Sequence, residues 1–254
     1  MFEKNNPVLI ATPRSGSTVV CKLLFNIAHY KFGSKAYLNQ FLTISPHYKE
    51  TFKKENNLIV RDYYIREKDK FFNDYVNRAF LTKRRITLMK DDVKYTTKIF
   101  TLDFVPETYK FFNEHFDFVF IERRDKLQQL LSFSTMMTTN KHEFTDGEKF
   151  VGNTYFSIEH ALVFIMQQAH YLKIKKLNPK APVIYYEDFM ELGGNIQALQ
   201  TLLNLPIEDI PETIKVDTIP TPYLSNLEDL LINKDEWLSH KNTIKELLET
   251  LGPW

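Results

Sequence analysis

Apolar residues fall in short blocks separated by polar turns, and the period within each block changes along the chain. Residues 8–11 are uniformly apolar, as expected of a strand buried on both faces. Residues 17–30 carry Val20, Leu23, Leu24 and Ile27 at helical spacing. Residues 31–66 are irregular and rich in aromatics, and 67–80 read as a helix. A second strand is expected over 95–101, then a short helix over 106–114, and a strong strand over 116–121 (FDFVFI). Residues 125–137 read as a helix with Leu127, Leu130, Leu131 and Phe133 on its apolar side. The polar, glycine-containing stretch 139–153 reads as a loop or lid. The longest helical pattern, 157–177, stops at Asn178-Pro179. A strand over 182–186, a helix over about 194–204, an irregular stretch with four prolines over 205–223 and a helical tail over 226–251 complete the chain.

Short strands, apolar on both faces, thus alternate with helices. That pattern predicts an α/β fold: a central, mainly parallel sheet flanked by helices in three layers, with the strand–turn–helix start of a P-loop. Such sheets bind ligands beyond the carboxyl ends of their strands. The three best strands end at the turn after residue 11, at Glu122-Arg123-Arg124-Asp125 and at Glu187-Asp188, so three polar ends are expected along one edge.

Composition narrows the class. The 254 residues, 43% hydrophobic, suffice for one large α/β domain over 1–254, with irregular insertions around 31–66 and 139–155. A net charge of +1 gives no general case for nucleic-acid or membrane partners, and the Lys83-Arg84-Arg85 cluster reads as a solvated face. Cys21 is the single cysteine; it falls among apolar residues of the first helix and reads as a buried, inert thiol. No apolar run approaches the ~20 residues that span a membrane. With the first strand starting by about Pro7 there is no room for a signal peptide, and a cytoplasmic location is expected.

The chemistry begins at ATPRSGST, residues 11–18. Set on the ATP-loop pattern G-x-x-x-x-G-K-[ST], Ala11 and Gly16 take the glycine positions, Ser17 the lysine and Thr18 the Ser/Thr. Amides from about Ser15 to Thr18 would converge on an anion at the helix N-terminus. Arg14 can supply the missing cation through a planar fork suited to phosphate or sulfate oxygens.

This stretch resembles the 5′-phosphosulfate loop of sulfotransferases that use PAPS, 3′-phosphoadenosine 5′-phosphosulfate. The following STVVCKLL is most like the bacterial and phage-type branch acting on carbohydrates or glycolipids. A second match is FVFIERRDKLQQLLS, where Arg124 and Ser132 have the spacing of the family's 3′-phosphate ligands. Lys126 stands where the family has proline, and Arg123 serves if the register differs by one. A third is VIYYEDF, in which Glu187 or Asp188 is expected to cap a helix or pair with a basic residue. The resemblance covers roughly 7–190 and lacks the glycine-rich Arg-Lys-Gly segment of cytosolic members. It implies PAPS as co-substrate, held by Arg14, Ser15, Gly16, Ser17, Thr18, Arg124 and Ser132, with no metal, and a hydroxyl acceptor of the carbohydrate or lipid class.

The acceptor hydroxyl needs a base. At the two places where the family carries one, this chain has Gln40 and Phe100, and neither takes a proton. The nearby substitutes are His47 and Glu50, then Asp62, Asp103 and Glu107. Two other classes share the loop. One is an ATP-dependent small-molecule kinase, against which the absent lysine counts; the other is a non-catalytic descendant that binds PAPS or a similar nucleotide, which Gln40 and Phe100 favour.

Overall fold

The computed structural model describes residues 7–32, 36–39, 94–100, 106–139, 155–205 and 227–252. They form a mixed α/β unit built on a parallel sheet. The strands are β1 (Pro7–Ala11), β2 (Ala36–Asn39), β3 (Lys94–Phe100), β4 (Asp117–Glu122) and β5 (Val183–Tyr185). The helices are α1 (Ser17–Phe32), α2 (Pro106–His115), α3 (Lys126–Thr139), α4 (Ile158–Leu177), α5 (Tyr186–Glu191), α6 (Ile196–Leu202) and α7 (Lys234–Thr250), with a 3₁₀ turn over Leu227–Leu230. The strand order is β2-β3-β1-β4-β5, and every pairing is parallel. Leu9 stands opposite Lys98 on one side and Val119 on the other.

Strand periodicity sorts the core into two faces. Leu9, Ala11, Val119, Ile121 and Ile184 pack against Val20, Leu23, Leu24 and Ile27 of α1, Phe189 of α5 and Leu199 of α6. Val8, Ile10, Phe118 and Phe120 pack against Phe112 of α2 and Tyr171 and Leu172 of α4. Phe120 and Tyr171 meet edge to face, their ring centres 5.5 Å apart. A third cluster joins α3, α4 and α7 around Phe133, Phe164 and the fully buried Trp237. The chain leaves β1 toward the first face, while α2 and α4, which come after β3 and β4 in the chain, cover the second. The two routes part at the carboxyl end of β1, the position where open parallel sheets leave a crevice for ligands.

Three expectations change. A strand, β2, occupies residues 36–39, inside the stretch read as irregular; four residues carry too little pattern to reveal an edge strand, and pairing with β3 makes it. The strand expected over 182–186 ends at Tyr185, because Glu187 and Asp188 suit the first turn of a helix, α5. The tail is a 3₁₀ turn followed by α7 instead of one helix. The helix expected over 67–80, and the loop or lid from residue 140 onward, lie outside the described residues, as does most of 31–66.

Candidate anion-binding site

Between β1 and α1 the chain reverses through Thr12–Gly16, and two residues there take left-handed backbone angles, Arg14 (φ 63°) and Gly16 (φ 83°). For a non-glycine residue that conformation costs about 1 kcal/mol, so something must hold Arg14 in it. At Gly16 the demand is also spatial: a Cβ would come 2.3 Å from the ring of Tyr186. The Ser15 hydroxyl closes the turn by donating to the Thr12 carbonyl at 2.8 Å.

Three elements brace this loop. From α3, the Gln129 amide donates to the Thr12 hydroxyl (2.9 Å) and the Pro13 carbonyl (2.7 Å). One turn further along the same helix face, the Ser132 hydroxyl accepts from Arg14 Nε at 2.9 Å. From α4, the Gln168 amide donates to the Thr12 hydroxyl at 3.2 Å. From β3, the Lys98 ammonium donates to the Thr18 hydroxyl at 2.7 Å. Lys98 is 2% exposed, so a cation is buried at the first turn of α1. A buried ammonium is costly unless it serves a partner or an anion. Among the described residues, no carboxylate accepts from the amides of Ser15–Thr18. The first turn of α1 therefore presents its amides, with Arg14 and Lys98 beside it, where an anion is favoured.

The turn after β4 is organised differently. Its Arg124 N–H donates to both Glu187 oxygens (3.0 and 3.1 Å), and its Asp125 N–H reaches the same carboxylate at 3.4 Å. Asp125 in turn accepts from the Gln128 N–H at 2.9 Å. The Arg124 guanidinium forks onto the Asp188 carboxylate, with one arm at 2.7 Å, and lies 4.4 Å over the Tyr185 ring. That pair raises the Arg124 pKa and holds the Asp188 carboxyl below its ordinary range. Arg123 faces the other way, toward the first loop, with Nη1 3.5 Å from the Arg14 carbonyl and its guanidinium over Tyr186.

Arg14, Ser15, Gly16, Ser17 and Thr18 thus share one turn, and Ser132 is joined to Arg14. Arg124 and Ser132 have different partners and do not meet. His47 and Glu50, with Gln40, Asp62 and Asp103, lie outside the described residues, whereas Phe100 ends β3. Residue patterning missed Lys98, Gln129 and Gln168, and it read the VIYYEDF stretch that holds Tyr186 without its contact to Gly16. A lysine inside a strand that flanks β1, and a glutamine one turn before Ser132, are the signals that would have found the first two.

Two nearby groups are shifted by burial. The Cys21 thiol is pushed up to about 12, which leaves it protonated and inert. Lys126, the first residue of α3, is lowered to about 8 by burial, with the carboxylates of Glu122 and Glu187 opposing the shift. Among the described residues, no group of His, Cys, Asp and Glu is placed to hold a metal ion, and no helix is long and apolar enough to cross a membrane. No family model matches the chain, and no curated protein matches it in sequence.

Proposed function

We propose that the chain is a PAPS-dependent sulfotransferase with a three-layer P-loop-like core, acting on a hydroxyl of a carbohydrate or lipid. The observation that carries this reading is the first turn of α1. Its amides meet no carboxylate among the described residues, a buried ammonium stands at Thr18, and Gly16 lets the turn close against the Tyr186 ring. The residues present fit a phosphosulfate: the loop offers backbone donors, Arg14 a planar guanidinium and Lys98 a point-charge ammonium.

PAPS, when bound, supplies an electron-poor sulfuryl group and a bisphosphate leaving group that takes up negative charge as its bridging S–O bond breaks. The amides of Ser15–Thr18 bind the 5′ end, and Arg14 and Lys98 offset the charge that develops there. Ser132 fixes the Arg14 side chain through its Nε. Arg124 holds the 3′-phosphate by exchanging Asp188 for it, and Arg123 is the alternative on the loop side. A base, His47 or Glu50, accepts the acceptor's proton as the new O–S bond forms.

Thermal unfolding in EDTA tests the reading. Adenosine 3′,5′-bisphosphate is expected to raise Tm without magnesium, and AMP to raise it less by the contribution of the 3′-phosphate. Stabilisation by ATP only with magnesium replaces this reading with a kinase. Stabilisation by the bisphosphate, with no transfer from PAPS to a panel of sugars and lipids, favours a binding protein.

A further inference from the structure

Helix α4 packs one side into the core through Ala161, Phe164, Gln168, Tyr171 and Leu172. Its opposite side is exposed and repeats with a different regularity. Glu159, Leu162, Met166, Ala169, Lys173 and Lys176 are all exposed and follow one another at intervals of 3, 4, 3, 4 and 3 residues. That is the seam of a two-stranded coiled coil, drawn on the solvent side of a helix whose core side is already filled. The apolar members are prominent: Met166 is 63% and Leu162 53% exposed, and Val163 beside them 40%. No charge interrupts the seam between Glu159 and Lys173, while its ends carry opposite signs.

We propose that this face pairs with the same face of a second copy of the chain, antiparallel about a two-fold axis between Met166 and Ala169. Charge complementarity selects both the occupant and the direction. In the antiparallel register Glu159 lies opposite Lys176 of the second copy, and symmetry repeats the pair at the other end. Leu162 lies along the aliphatic stem of the second copy's Lys173, and each Met166 sits over the small Ala169 of the other copy. A parallel pair would set Glu159 on Glu159 and lysine on lysine, which is repulsive. Within one chain Glu159 and Lys176 are about 25 Å apart along the helix, at 1.5 Å per residue, so they do not pair internally. A single helical seam is a small interface, which places the dimer in the micromolar range.

Sedimentation velocity on the full chain, from roughly 1 to 300 µM, tests this. The wild type is expected to pass from monomer to dimer across that range. Met166→Lys is expected to stay monomeric with an unchanged circular dichroism spectrum. Glu159→Lys and Lys176→Glu are each expected to weaken the dimer about tenfold or more, and the double exchange to restore it. The proposal is overturned by a wild type that remains monomeric throughout, by a Met166→Lys dimer of undiminished affinity, or by a double exchange that associates no better than the single variants.

Discussion

Two strand–turn–helix units lie side by side in the sheet, β1–α1 and β4–α3, and they treat the start of their helix in opposite ways. Both helices point an N-terminus, and so a partial positive charge, at the same edge. At α3 the chain supplies its own anion: Glu187 takes the Arg124 and Asp125 amides, and Asp188 neutralises the Arg124 guanidinium. At α1 the described residues put no carboxylate on the amides of Ser15–Thr18 and instead set two cations beside them. The first turn is also the strained one, with two left-handed residues braced from α3, α4 and β3. Stability favours closing such a site from within. On the proposed reading, a turn held at a cost in backbone strain, with its helix amides left off any carboxylate among the described residues, is the one that takes a ligand from outside.

The hardest blow to that contrast is Gly16→Ala. The new Cβ would lie 2.3 Å from the Tyr186 ring on a residue at φ 83°. Either the ring moves out of the core or the turn opens. Isothermal titration with adenosine 3′,5′-bisphosphate is expected to show roughly a hundredfold weaker binding, and Tm is expected to fall, since strain and lost packing act together. Undiminished affinity would mean that the first turn is not where the nucleotide binds.

Lys126 sharpens the other side of the comparison, because it is a cation buried at the turn that is closed from within. Its pKa falls from 10.5 to about 8 on folding, so the unfolded chain binds the proton more tightly. The penalty is complete below pH 8 and is relieved as pH rises toward 10.5. Stability should increase over that range by up to ~3 kcal/mol, since each tenfold change in proton affinity is worth about 1.4 kcal/mol. Lys126→Met should raise stability at pH 7 and flatten that alkaline rise, as measured by urea unfolding from pH 7 to 10.

The sequence pattern made the first unit legible and the second only partly so. Residues 8–11 are apolar on both faces and Gly16 sits at a turn before a periodic helix, so strand, loop and helix all follow from local signals. The positions of Arg124 and Ser132 were equally visible, and Glu187 or Asp188 was expected to cap a helix or pair with a basic residue, as both do; that the basic residue is Arg124 was not visible. Whether Arg124 meets a ligand or Asp188 depends on β5 lying next to β4, a contact about sixty residues away in the chain. Lys98 escaped for the same reason: only the pairing of β3 with β1 turns a strand lysine toward Thr18. The Tyr186–Gly16 contact likewise joins distant segments, and no spacing rule reports it.

Arg14→Gly separates strain from chemistry. Glycine adopts φ 63° without penalty but adds freedom to the unfolded chain, so stability should change by less than about 1 kcal/mol. Removing a charge-assisted fork should nevertheless weaken the bisphosphate roughly tenfold to thirtyfold, and Arg14→Lys should recover part of that, as titration calorimetry can show. Equal losses in stability and binding would make Arg14 a structural brace alone.

The smallest expected effect tests whether the second turn is truly an anion site closed by the protein itself. Glu187→Ala removes a carboxylate that accepts from two backbone amides, and it should lower stability by about 1–2 kcal/mol. If Glu187 acts as a resident anion, sulfate should replace it and recover part of the loss, whereas chloride at matched ionic strength should not. Sulfate also suits the first turn, so the comparison belongs in the Gly16→Ala background, where the clash with Tyr186 is expected to distort that turn and weaken its anion binding. There, sulfate should stabilise the Glu187→Ala chain more than its Glu187 counterpart. Equal gains would show that the second helix start does not bind anions even when opened, and that its difference from the first lies in shape and not in occupancy.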